Sequence, residues 1–221
     1  MNKVVKQKGF TLIEIAIVLV IIGLLLGGVL KGQELINTAR VRSLSSNIDG
    51  ITSAWFSFSD RYRSLPGDYN QALVNLPNIN HKGDGNGLID TDNERALVWS
   101  HLQAAGYITG SYPDPAAAPV NIAADKYDCS VTTCPDNGFG QGMVVNLGAL
   151  QQAGGVATHE LLSGRAIPSD VLAELDRKID DGTPNAGAMQ LGTAGVGWGT
   201  GAEILACQAA GNVNLYNMQT P

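Results

Sequence analysis

The sequence predicts an α+β protein in which one long N-terminal helix, transmembrane in its first half and amphipathic in its second, packs on a small globular head with a short antiparallel sheet. Three observations predict it. Residues 10–30 form an apolar run with a single charge, Glu14. Apolar residues from Val41 to Tyr62 then recur at helical spacing. The remainder mixes capped helical segments, short apolar runs and loops rich in Gly and Pro. The resulting segments are a membrane helix at 10–30, an amphipathic continuation at 31–63 and a head at 64–221.

The apolar run extends from Phe10 to Leu30. As a helix its 21 residues span about 30 Å, the thickness of a bilayer core. Lys3, Lys6 and Lys8 precede it, so the positive-inside rule keeps the N-terminus cytoplasmic and sends the head across the membrane. A secretory signal would have a shorter apolar core followed by a small-x-small site, and Leu30-Lys31-Gly32 offers none. A plain anchor explains the length but not Glu14, because a charge near the bilayer centre costs roughly 2–3 kcal/mol.

Lys8-Gly9-Phe10-Thr11-Leu12-Ile13-Glu14, with the apolar helix behind it, resembles the N-terminal motif of type IV pilins and type II secretion pseudopilins. The resemblance implies that residues 1–9 are a leader removed after Gly9 by a prepilin peptidase, and that Phe10 becomes the N-methylated terminus. It also implies that Glu14 pairs with the N-terminal amine of a neighbouring subunit. The implied partners are other pilin or pseudopilin subunits, the peptidase that also methylates, and an inner-membrane assembly platform. The implied location is the inner membrane as a single-pass precursor with a periplasmic head, then a pilus or pseudopilus. A lone carboxylate in an apolar filament core is costly unless an amine neutralises it, so Glu14 would select the correct stagger. Many major pilins carry a proline near the end of the apolar segment; here Gly27-Gly28-Val29-Leu30-Lys31-Gly32 stands instead. Clustered glycines weaken a helix by up to about 1 kcal/mol each, and they also suit close helix packing.

Beyond Lys31, Val41, Leu44, Ile48, Ile51, Trp55, Phe58 and Tyr62 form one stripe spaced alternately three and four apart. The stripe should lie on the head, with Trp55 and Tyr62 in the core. Leu65-Pro66-Gly67-Asp68 ends the pattern as a turn, giving a helix roughly 80 Å long from Phe10. In the head, Asp92 or Asn93 can cap a helix through Glu94 to Ala105, closed by Gly106. Gly110 to Pro119 reads as a loop. Ser169 can cap a third helix, Asp170 to Ile179. Met143–Leu147, Ala188–Leu191 and Leu215–Met218 are strand candidates, and Gly192–Gly201 reads as loop. Further phrases, including Leu65–Asp68, Gly83–Gly87 and Ile179–Gly182, resemble a subgroup of larger pilin-like proteins. They imply a minor pilin or pseudopilin, as does the size left after nine residues are removed from 221.

The formal charge is −6; without the three leader lysines, 11 basic residues face 20 acidic ones, a charge of −9. That argues against nucleic-acid binding, which needs a basic face. The three cysteines, Cys129, Cys134 and Cys207, cannot all pair within one chain. An oxidising compartment allows one disulfide, with Cys129 and Cys134 the candidate pair. No Cys/His cluster suggests zinc.

Asp84, Asn86, Asp90 and Asp92 place oxygen-bearing side chains at alternating positions around glycines. Such a loop can wrap calcium. The match to an EF-hand is poor: aligning Gly87 with its glycine puts Lys82 at the first ligand position and Asn93 at the last. The rival reading, an acidic turn leading into a capped helix, is the favoured one. The Asp180-Asp181 pair reads as a solvated helix end, His81, His101 and His159 are scattered, and no nucleophile elbow or phosphate loop occurs. The expectation is therefore a non-enzymatic filament subunit without a cofactor, calcium in the acidic loop being the one candidate. It would serve either a type IV pilus or a type II secretion pseudopilus. The alternative is a binding module on the same scaffold, a tip adhesin or DNA-uptake pilin.

Overall fold

The computed structural model describes residues 11–112, 114, 133–148, 158–164, 167–183, 188–191 and 214–217. The chain falls into two units, Met1–Ala39 and Arg40–Pro221. Helix α1 (Leu12–Tyr62) begins in the first and ends in the second. Its end is a left-handed cap: Arg63 takes φ +52° while its N–H still donates to the Ser59 carbonyl at 2.9 Å. Pro66 follows and forbids continuation.

The predicted stripe is the core-facing side of α1 in the second unit. Val41, Leu44, Ile48, Ile51, Trp55 and Phe58 are buried, and Tyr62 is half-buried against Phe58 and Tyr69. Phe58 anchors an aromatic group, with ring centroids 4.5 Å from Tyr62, 5.9 Å from Tyr69 and 6.3 Å from His101. A short helix α2 (Ala72–Asn75), absent from the sequence reading, follows the turn. Four residues make one turn, too few to carry a periodic signal.

Helix α3 (Asp92–Ala104) starts one residue earlier than expected. Its cap is Thr91, not Asp92 or Asn93: the Thr91 side chain accepts from the Glu94 N–H, and the Glu94 carboxylate accepts from the Thr91 N–H. This is the reciprocal box that a Thr-x-x-Glu sequence encodes. The helix closes as expected at Gly106, with φ +79°; Tyr107 N–H donates to the Leu102 carbonyl and Gly106 N–H to that of Gln103. The fourth helix, α4 (Ser169–Ile179), presents Val171, Leu172 and Leu175 inward and Glu174, Arg177 and Lys178 outward.

Among the described residues, four strands form one antiparallel sheet in the order β1-β2-β4-β3: β1 (Val144–Gly148), β2 (Thr158–Leu162), β3 (Met189–Leu191) and β4 (Asn214–Asn217). Three of these lie at the sequence-derived candidates, each shifted by a residue at one or both ends. The second, Thr158–Leu162, was not among them. The expected loop at Gly192–Gly201 lies outside the described residues. The core joins the α1 stripe to Trp99 and Leu102 of α3, Val144 and Val145 of β1, Leu161 and Leu162 of β2, and the inner face of α4.

Phe58 is fully buried among four rings. Phe58→Ala is expected to lower the unfolding free energy by about 3–5 kcal/mol. Urea unfolding followed by Trp99 fluorescence measures it, with exposed Ser57→Ala as the near-neutral comparison.

Candidate functional site

Two places carry the residues singled out from the sequence. The first is the start of α1. Gly9 and Phe10 lie outside the described residues. Thr11 is the cap and Glu14 the third helical residue: the Thr11 N–H and hydroxyl donate to Glu14 Oε2 at 2.8 and 2.7 Å, and the Glu14 N–H donates to Thr11 Oγ1 at 3.3 Å. Thr11 was not singled out, although the Thr-x-x-Glu spacing announces this reciprocal cap. The box holds the carboxylate at the helix N-terminus, where the positive end of the helix dipole favours an anion. From Leu12 to Leu30 every large apolar side chain is exposed. A Cβ added at Gly23, Gly27, Gly28 or Gly32 would meet nothing within 4 Å, so the surface there is open to a close-packed neighbour. By length and composition, α1 is sufficient to cross a membrane.

The second place is the acidic loop of the head. Its organiser is Asp68, 2% exposed. One carboxylate oxygen accepts from the N–H groups of Gly85 (2.6 Å) and Asn86 (3.1 Å), and the other from Gly87 (2.8 Å). The approach is close enough to demand glycine. A Cβ at Gly83 would lie 2.2 Å from Asp68 Cα, and one at Gly67 (φ +97°) would lie 2.5 Å from the Glu94 carbonyl oxygen.

The four calcium-ligand candidates are only partly brought together. Asp84 and Asp90 converge on the Asn86 amide, whose Nδ2 donates to both at 3.1 and 3.4 Å, while Asn86 Oδ1 accepts from Leu88 N–H. The Asp92 carboxylate turns away to Arg95 Nη1 at 2.5 Å. A different trio, Asp68, Asp84 and Glu94, places carboxylate oxygens within 4.8 Å of one another. Neither Asp68 nor Glu94 is among the ligands the sequence suggests, because Asp68 reads as part of a turn and Glu94 as helix. Glu94 collects N–H donors from Asp84, Asp90 and Thr91. Burial pushes both Asp68 and Glu94 above the ordinary carboxylate range.

Two buried histidines hold this loop in place. His101 Nδ1 accepts from Gly67 N–H at 3.0 Å, and His159 Nε2 accepts from Ile89 N–H at 3.1 Å. Arg95, mostly buried, ties α3 to the sheet through Asn146 Oδ1 at 3.0 Å. The Asp180-Asp181 pair closes local turns: Asp180 accepts from Ala188 and Met189 N–H groups, and Asp181 from Thr183 at 2.7 Å. Cys134 is disulfide-bonded and buried, while Cys129 and Cys207 lie outside the described residues.

Residues 5–30 match the prokaryotic N-terminal methylation motif. The chain therefore carries the type IV pilin and pseudopilin signature, which marks a pilin-like precursor handled by a prepilin peptidase. No curated protein and no solved structure matches the chain.

Burial pushes His101 down to about 4, and burial also lowers His159. The unfolded chain thus binds more protons as pH falls through the ordinary histidine value, so both groups stabilise the head fully above about pH 6.5 and less below it, with the His101 contribution falling away down to about pH 4. Asp68 and Glu94 are raised, so the folded chain holds their protons more readily and they oppose this loss as pH falls. Between pH 7 and 5, His101 alone is expected to remove about 2 kcal/mol of stability. Urea unfolding of the wild type and His101→Gln at both pH values measures it; the variant should lose most of this pH dependence.

Proposed function

We propose that this chain is a filament subunit, a minor pilin or pseudopilin, cleaved after Gly9, methylated at Phe10 and assembled through α1. The observation that carries this reading is the pairing of one carboxylate with an otherwise apolar, exposed helix inside the matched motif. In lipid the apolar surface is covered by acyl chains but the carboxylate lacks a partner; packing against other copies of the same helix covers that surface again and offers the carboxylate one. The Thr11 box keeps Glu14 hydrogen-bonded before assembly. In the filament the carboxylate accepts the amine of a neighbour, converting an isolated buried charge into a pair. The Cys134 disulfide fits an oxidising compartment outside the cytoplasm. The minor role rests on the size of the chain and the missing proline.

Glu14→Ala is expected to insert and be cleaved normally but to be absent from sheared filaments. Mass spectrometry of the wild-type product should find a methylated terminus at Phe10. A chain still beginning at Met1 beside an active peptidase, or normal incorporation of Glu14→Ala, would refute the assignment.

For the head loop, the hydrogen bonds that Asp68 and Asn86 make support an acidic turn closed by the protein itself. Thermal unfolding is expected to coincide in calcium and in chelator, within about a degree. A calcium-dependent rise of several degrees would reassign Asp68, Asp84 and Glu94 as ligands of a cation, since binding to the native state raises the midpoint.

A further inference from the structure

The head contains a cavity that none of these interactions fills. Its volume is about 360 Å³, within the ~300–1,000 Å³ range of small-molecule sites. Buried Met143 and Ile51 form its apolar lining, with Tyr107, Ile108 and Tyr112 beside them. Tyr112 is fixed: its N–H donates to Gln103 Oε1 at 2.8 Å, and its ring lies 6.5 Å from that of Trp99.

Much of the polar lining is uncommitted. The Asn47 amide and the Ser46, Thr109 and Tyr107 hydroxyls have no hydrogen-bond partner among the described residues. Asp136 spends one carboxylate oxygen on Gly138 N–H at 2.8 Å, leaving the other. The lining includes no Lys, Arg or His among the described residues. Arg40 lies over the Phe139 ring, 5.3 Å from its centroid, and is not part of that lining.

These features select a ligand class. An anion meets the Asp136 carboxylate, with no cation in the lining among the described residues, so it is disfavoured. A wholly apolar ligand would desolvate the amide and hydroxyls without pairing them, at a cost in free energy for each. A neutral sugar satisfies both constraints. The C–H face of a pyranose packs on an aromatic ring, and its hydroxyl edge can both donate to the carboxylate and exchange hydrogen bonds with the amide and hydroxyls. We infer that this cavity binds a neutral saccharide of one or two rings, a property independent of how the chain assembles.

The test is saturation-transfer NMR on the full chain in lipid nanodiscs, with glucose, galactose, mannose and N-acetylglucosamine as probes and glucose 6-phosphate as the anionic control. At least one neutral sugar should receive saturation, with the phosphorylated sugar silent. Asn47→Ala and Asp136→Asn should each weaken binding at least tenfold. Val74→Ser, at an exposed position outside the cavity, should bind like the wild type. Asn47 is itself exposed, so its loss leaves the core intact. Silence from all four neutral sugars, equal binding of glucose 6-phosphate, or unchanged binding in both cavity variants would overturn the inference.

Discussion

A single helix in this chain must satisfy two different surroundings, and the rest of the structure is arranged around that constraint. From Leu12 to Leu30, α1 is apolar on every side. From Val41 to Phe58 only one stripe is apolar, and that stripe is the central element of the head's core. The change from all-round to one-sided apolarity decides which residues can be covered by the chain's own fold and which need a membrane or other subunits. In the second unit, the stripe joins the apolar faces of the sheet, α3 and α4 in one core. In the first, the same need is left to lipid or to other helices.

The polar interior of the head depends on side chains substituting for secondary structure. Residues 76–91 contain no helix or strand, yet the backbone N–H groups folded into this segment still find acceptors. Asp68 provides for three of them, Glu94 for others and His159 for that of Ile89, while His101 takes the N–H of Gly67 in the turn before the segment. Such acceptors are costly to bury, and the displaced titration of all four groups reflects that cost.

What could be read from the sequence follows from this division. The stripe was legible because its partners are all apolar and its period is regular. The end of α3 was legible because Gly106 is required by its backbone geometry. The strand Thr158–Leu162 was not, because His159 and Glu160 are both buried there. Their polarity reads as solvent exposure, whereas Asn146 lies opposite Glu160 and Ile89 N–H finds His159. Asp68 was hidden similarly: its partners are backbone groups 17 to 19 residues away, and backbone groups leave no trace in side-chain pattern. The Thr91 cap was available in the Thr-x-x-Glu spacing but was outweighed by Asp92 and Asn93, which follow it and cap helices equally well.

The two histidines also differ in a way that fixes where their protons reside. His101 accepts through Nδ1, so in its neutral form the hydrogen is on Nε2, the atom 3.5 Å from the His81 carbonyl oxygen. His159 accepts through Nε2, so its hydrogen is on Nδ1. A single head therefore holds both imidazole tautomers, one at each end of the same loop. Each is selected by a backbone amide rather than by a carboxylate, and together their nitrogen chemical shifts form a two-point signature of the closed loop.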